Sequence, residues 1–181
     1  AGFGALLRLF YVAFGASKWD WRPAFWLIAI LTMFVGVIFA LTQTDVKRML
    51  AYSSIAHAGF LLVGVIATNP AGLGGSLFYL FAYGVSTVGA FAVVTLVRNP
   101  AGEATGLSNW VGLGKRSPLV AGAFAFFLLA FAGIPLTSGF TGKFFVFTAG
   151  IAGGATPVVI CAVVASAISA AKPTNTPPVA R

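Results

Sequence analysis

Carboxylates are almost missing from this chain. Asp20, Asp45 and Glu103 are the only three, and charged residues of both signs make up 8% of the sequence, where a soluble domain carries about a quarter. With 59% hydrophobic residues, the composition predicts an all-α integral membrane protein. Cysteine is equally scarce. The single Cys161 excludes an internal disulfide and offers no second thiol for a metal site, so it reads as a small apolar helix residue. There is no glycine-rich nucleotide loop, no paired carboxylate, no metal-ligand spacing and no nucleophile triad. Cofactor and metal sites are therefore not expected in this chain, and any redox chemistry falls to partner chains. A net charge of +8 raises the question of nucleic acid. The basic residues stand singly or in pairs between apolar runs, as topology signals do, so nucleic acid is set aside and the lipid bilayer is the expected surrounding.

Ala1-Gly2-Phe3 opens straight into an apolar run, without the pattern of a signal peptide. The expectation is a start inside a helix, in a piece of a longer protein. A transmembrane helix needs roughly 20 mostly apolar residues, and on that measure about six spans are predicted. The first run, 1–16, contains Arg8, which either snorkels to the nearby end or points into the bundle. Lys18-Trp19-Asp20-Trp21-Arg22 reads as a loop with interfacial tryptophans. Pro23 suits the first turn of a second helix that ends near Gln43. Thr44-Asp45 can cap a third helix, from about Met49 to Ala67, with Lys47-Arg48 at its mouth. Gly72 to Gly75 read as a flexible turn into a fourth helix, about Ser76 to Val97. Residues 98–117 form the longest polar connection, with a short interfacial helix expected around 107–113.

Ser117-Pro118 starts the fifth element, which extends to about Gly150. A continuous helix of that length would be about 50 Å long, against about 30 Å of hydrocarbon. Gly133-Ile134-Pro135 falls near its middle, and proline removes a backbone donor and clashes with the carbonyl four residues back. Length and proline together predict a helix broken at Gly133-Pro135. Thr156-Pro157 begins a sixth helix, giving a transmembrane domain over 1–171. The proline-rich tail 172–181 has no apolar run and is expected to be disordered. Seven basic residues (Lys47, Arg48, Arg98, Lys115, Arg116, Lys172, Arg181) fall on one side of this arrangement and two (Lys18, Arg22) on the other. The positive-inside rule then puts the loops at 43–48 and 98–117 and the C-terminal tail in the cytoplasm.

Freed backbone groups of a broken helix need protein or water partners, so the break must face a bundle interior or a wet cavity. Gly133, Pro135, Thr137, Gly139 and Thr141 surround it, and Lys143 follows eight residues after Pro135. A charged lysine at mid-bilayer costs roughly 2.5–3.5 kcal/mol on insertion scales, so such residues usually serve a polar pathway. The competing reading is a lysine that snorkels to the interface. His57 lies near the centre of the third helix, with Ser53 and Ser54 on its face. Its imidazole can relay a proton without holding a charge, or can serve as a structural hydrogen-bonding group, and spacing leaves both open. Tyr52, Tyr79, Tyr83, Ser86 and Thr87 could extend a hydrated path, though each alone suits helix packing.

The stretch Gln43-Thr44-Asp45-Val46-Lys47-Arg48-Met49-Leu50-Ala51-Tyr52-Ser53-Ser54-Ile55-Ala56-His57-Ala58-Gly59-Phe60 resembles a helix-entry motif of the antiporter-like membrane subunits of respiratory complex I, the bacterial NADH-quinone oxidoreductases. Gly133-Ile134-Pro135 through Lys143-Phe144 resembles their broken, lysine-bearing helix. Gly112-Leu113-Gly114 before Lys115-Arg116 and Pro118 narrows the likeness to one subunit type, and it covers about residues 1–170. The resemblance implies a fragment of a bacterial inner-membrane subunit of fourteen spans with two inverted repeats. Such subunits translocate protons while partner subunits, carrying NADH, flavin, iron-sulfur clusters and quinone, do the redox work. It makes Lys143 the essential lysine of the second broken helix and His57 a histidine of the central polar axis, with proton transfer as the role of both. It also implies a glutamate and two lysines in earlier helices that would precede Ala1, and neighbours among adjacent antiporter-like and small membrane subunits. The family continues after Ser169 with aromatic and arginine residues, so the different tail here suggests a truncated or frame-shifted end. A multisubunit sodium/proton antiporter subunit and a non-transporting membrane scaffold are the rival expectations.

Overall fold

A computed structural model describes residues 2–99 and 102–170. The tail expected over 172–181 lies outside them. The described residues form α1 (Gly2–Arg8), continued by a π-helical turn Leu9–Ala13, then α2 (Lys18–Leu41), α3 (Val46–Ala67) and α4 (Pro70–Leu96). A two-residue antiparallel pair, β1 (Arg98–Asn99) and β2 (Gly102–Glu103), leads to a 3₁₀ turn Leu107–Trp110 and α5 (Leu113–Arg116). The chain then runs through α6 (Pro118–Ala132), α7 (Ser138–Ala152) and α8 (Thr156–Ala170). By length and composition α2, α3 and α4 can each cross a membrane, and α6 and α8 are shorter apolar helices.

The central helix is α3, from which 13 residues are buried. It packs along α2 on one side and against α4 and α7 on the other, while α8 leans on α2. Hydrophobic burial cannot drive helices together in lipid, so close backbone approach has to do it. The α2–α3 contact is built that way: a Cβ on Gly36 would come within 2.4 Å of the Ala56 amide nitrogen. The outer faces carry large apolar side chains such as Leu31 and Ile38 on α2 and Phe81 and Val88 on α4, the surface a multi-pass membrane protein presents to lipid or to neighbouring subunits.

Two helix starts differ from the sequence expectation. Lys18–Arg22 is helical, not a loop, so Pro23 sits inside α2 just beyond its first turn. Arg22 reaches across to the Gly153 carbonyl at 2.6 Å, and Trp21 donates its indole N–H to the Phe14 carbonyl. Likewise α4 begins at Pro70, six residues before the expected Ser76. Asn69 accepts from the Gly72 amide at 2.6 Å and Pro70 occupies the first helical turn, a start signal that outweighs the glycines. Two of those glycines serve close packing: a Cβ on Gly72 would meet the Gly64 carbonyl oxygen at 2.8 Å, and one on Gly75 the Phe145 backbone at 3.2 Å.

At the other end Asp45 caps α3, accepting from the Arg48 amide at 3.0 Å. The 98–117 connection is fastened to this cap. Val46 donates its amide to the Thr105 carbonyl at 2.8 Å and Leu107 to the Thr44 carbonyl at 2.9 Å. Lys47 pairs with Glu103, and a hydrogen bond from the Thr105 side chain, with the Arg48 amide, holds the Asp45 carboxyl below its usual range. The interfacial helix expected over 107–113 is a 3₁₀ turn followed by a separate turn of α5.

Candidate functional site: a lysine held at a helix end

The α6 helix ends at Ala132 because Gly133 takes a left-handed conformation (φ 77°). Its amide donates to the Ala130 carbonyl at 3.1 Å and the Ile134 amide to the Leu129 carbonyl at 3.2 Å, the paired bonds of a Schellman ending. That motif occupies two of the last carbonyls and leaves those of Phe131 and Ala132 without a backbone donor. Residues 133–137 are non-helical, and Leu136 also has a positive φ, 77°, a conformation that strains a residue with a Cβ. Thr137 then opens α7. Its hydroxyl donates to the Ile134 carbonyl at 2.7 Å and accepts from the Phe140 amide at 3.3 Å.

Side chains on a helix lean toward its N-terminus, so Lys143, in the second turn of α7, points back into the gap. Its ammonium donates to the two carbonyls left over by the Schellman ending, Phe131 at 2.9 Å and Ala132 at 3.1 Å, and to Ser166 Oγ at 3.0 Å. Three donors meet three acceptors. The negative end of the α6 dipole adds to the attraction, as does the face of Phe60, whose ring centre lies 4.8 Å from Nζ. Lys143 is only 4% exposed and does not snorkel. The fit demands glycine at 133, since a Cβ there would stand 3.0 Å from the lysine Cδ and 3.2 Å from Nζ. Among the described residues no carboxylate touches Lys143; the one ion pair is Lys47–Glu103, at the α3 entrance.

Of the other sequence-selected residues, Thr137 and Gly139 lie at the start of α7. The Thr141 hydroxyl turns to the Thr137 carbonyl at 3.4 Å. Pro135 sits in the non-helical stretch. His57, 3% exposed, is brought beside this site by α3. Its ring meets Phe131 and Phe60, each edge-on with centroids 5.6 Å apart, and those are the residues whose carbonyl and ring hold Lys143. Phe60 and Phe131 thus each touch both the imidazole and the ammonium. Ser53 and Ser54 do not serve His57: Ser54 bonds the Leu50 carbonyl at 3.0 Å, and Ser53 lines a cavity. The hydrogen-bond partner of His57 is Tyr79, whose hydroxyl lies 2.6 Å from Nδ1. Tyr83 stacks on the ring at 4.4 Å, whereas Ser86 and Thr87 bond carbonyls of their own helix.

The sequence offers Tyr79 only as one of several groups that could extend a hydrated path, not as the partner of His57, and it does not single out Ser166. Tyr79 and Tyr83 are one turn apart on α4, a spacing that marks a shared face. Ser166 offers a fainter signal, one of the few hydroxyls in a largely apolar helix. A cavity of about 560 Å³ approaches the site from the side of the 98–117 connection, bounded by Gln43, Ser53, Trp110, His57, Phe131 and Ala132.

Ionisable groups buried in an apolar helical bundle are costly, and in membrane proteins such groups as a rule mark functional pathways. Residues 1–169 match the family described as "NADH:quinone oxidoreductase/Mrp antiporter, TM", and the chain belongs to that family. It is 67% identical over 170 residues to NADH-quinone oxidoreductase subunit N of Parafrankia sp. (strain EAN1pec), covering 94% of this chain and 32% of that protein. The chain therefore spans about a third of the length of such relatives. A chain of respiratory complex I from Thermus thermophilus with bound aureothin superposes with a TM-score of 0.72 at 37% identity, over 82% of this chain and 33% of that one. A chain of the Mrp complex from Dietzia sp. DQ12-45-1b superposes with a TM-score of 0.79 at 26% identity, over 92% and 31%.

Proposed function

We propose that the chain is part of a proton-translocating membrane subunit of a bacterial NADH-quinone oxidoreductase, with Lys143 as a switchable proton carrier and His57 as a relay group. The observation that carries this reading is the holding of Lys143. Among the described residues this ammonium has no carboxylate partner and rests on two helix-end carbonyls, a serine and an aromatic face. Those acceptors can stabilise an ammonium without trapping it as a carboxylate would. Subunit N relatives at 67% identity support the complex I reading. The likeness to the Mrp complex at 26% identity favours a second one, a subunit of a sodium/proton antiporter.

In the proposed arrangement α6 and α7 are the two halves of one span, the fifth of six, broken around Gly133–Pro135. The loops at 43–48 and 98–117 and the C-terminal tail face the cytoplasm, because they gather the basic residues. Adjacent antiporter-like and small membrane subunits cover part of the outer surface. NADH, flavin, iron-sulfur clusters and quinone belong to partner subunits, and the enzyme activity is that of the whole complex. The chain itself contributes the proton path, with the Gly133–Thr141 stretch keeping the Phe131 and Ala132 carbonyls free for Lys143. The test is Lys143→Ala in the full-length subunit within its assembled complex. Assembly should persist and most of the coupled proton pumping should disappear. Wild-type pumping and quinone-linked activity in that variant would refute the assignment.

A further inference from the structure

Tyr79 has no exposed surface, and its ring fills the space beside Gly142, where a Cβ would meet Tyr79 Cδ2 at 2.6 Å. A buried phenol is a donor that needs an acceptor. Among the described residues the only polar atom within reach of its hydroxyl is His57 Nδ1, at 2.6 Å. The rest of the imidazole's surroundings are rings: Tyr83 stacked on it, with Phe60 and Phe131 at its edges. Among the described residues His57 Nε2 has no hydrogen-bond partner, and the imidazole borders the 560 Å³ cavity.

These facts settle the direction of the bond. If Nδ1 carried the proton, the Tyr79 hydroxyl would accept it and leave its own hydrogen buried without a partner. We infer that Tyr79 donates to Nδ1 and so holds His57 as the neutral tautomer protonated at Nε2, making Tyr79 the positioning residue that decides how His57 can exchange protons. Building on the proposed relay, this gives His57 a gated behaviour. With the phenol hydrogen on Nδ1 the neutral ring has no free lone pair, so it cannot take up a proton, and it cannot release the one on Nε2 without first gaining another. Uptake requires Nδ1 to be released, and that requires the phenol hydrogen to swing away from its one acceptor among the described residues; the imidazolium then formed can give up its Nε2 proton. Tyr79, lying one helix away and outside the broken-helix stretch, becomes the latch of the relay.

His57 is the only histidine in this chain, and in the full-length subunit its signals are assigned as those lost in His57→Gln. The full-length subunit labelled with ¹⁵N-histidine, in lipid nanodiscs at neutral pH, should show for His57 a proton on Nε2 and a bare Nδ1 whose resonance carries the upfield displacement of an accepted hydrogen bond. Tyr79→Phe should move the Nδ1 resonance downfield toward the free-imine position and populate the Nδ1–H tautomer. Tyr83→Phe, which keeps the stacked ring, should leave both unchanged. A proton on Nδ1 in the unsubstituted protein would overturn the inference, and so would identical Nδ1 resonances in that protein and in Tyr79→Phe. The spectrum does not depend on transport, so failure here leaves the relay reading intact. Conversely, an assembled complex carrying His57→Gln that pumped at the wild-type rate would remove the relay while leaving the tautomer assignment standing.

Discussion

Two buried nitrogen groups lie within a few side chains of each other in this bundle, and they are accommodated in opposite ways. His57 sits on an uninterrupted helix and is enclosed by aromatic rings, with one phenol as its hydrogen-bond partner. Lys143 sits beside the end of another helix, α6, and is enclosed by oxygen, two carbonyls and a hydroxyl. The contrast follows from charge. A neutral imidazole asks for little and tolerates a ring-lined pocket, whereas an ammonium needs every one of its donors matched. In hydrocarbon the cheapest supply of unpaired acceptors is the end of a helix. Ending α6 at Ala132 creates such an end where the lysine arrives. The end of α6 is therefore the lysine's ligand.

That contrast can be broken from the lysine side first. In Gly139→Ala the new Cβ would stand 1.8 Å from the Ala130 carbonyl oxygen, so α7 must retreat from the end of α6 and take Lys143 with it. A loss of about 3 kcal/mol is expected, the upper end for forced backbone movement, read as a fall in the unfolding midpoint together with lost pumping. The corresponding change in the His57 region, Tyr83→Phe, should do far less, because the stacking ring remains. A smaller effect is expected from Ser166→Ala, which removes one of three acceptors and leaves both carbonyls. It should cost about 1–2 kcal/mol, the range for interhelical hydrogen bonds in membranes and for bonds to charged groups, and reduce pumping without abolishing it. Wild-type stability and pumping in that variant would show that the two carbonyls alone hold the lysine.

The smallest expected effect lies away from both groups, at the α3 entrance. Asp45→Ala removes the N-cap, at a cost of about 1 kcal/mol, and loosens the 98–117 connection while Lys143 stays in place. Acid should imitate it. The Asp45 carboxyl is held below its ordinary value by the Thr105 side chain and the Arg48 amide, so its contribution is present above the unfolded carboxylate value of about 3.9 and is lost as pH falls through the lower folded value. Amide exchange at Val46 and Leu107 on acidification checks this. Exchange in Asp45→Ala that matched the unsubstituted protein at neutral pH would show that the cap is not what fastens the connection.

Much of this was legible in the sequence, where the signal was local. Gly133-Ile134-Pro135 marks the end of α6 because glycine and proline act on their own backbone, and Asp45 announces the start of α3 because its side chain caps the turn that follows it. The start of α4 was missed because Gly72–Gly75 read as looseness, when two of those glycines allow close packing after the stronger signal of Asn69-Pro70. The partners of the two nitrogens were the least legible. Tyr79 lies 22 residues from His57 and Ser166 lies 23 from Lys143, each on another helix, and no periodicity within one helix says which neighbour it will face. Ser53 and Ser54 looked like His57's partners by spacing alone, and lost to a phenol delivered by packing.

The central claim is that Lys143 works by exchanging its proton and not merely by carrying a charge, and Lys143→Arg separates the two. Arginine keeps a cation beside the Phe131 and Ala132 carbonyls but does not give up its proton in proteins. Coupled proton pumping measured in the full-length subunit, within an assembled complex, should fall to the level of Lys143→Ala. Pumping at the wild-type rate with arginine in place would contradict the account and leave Lys143 a structural cation.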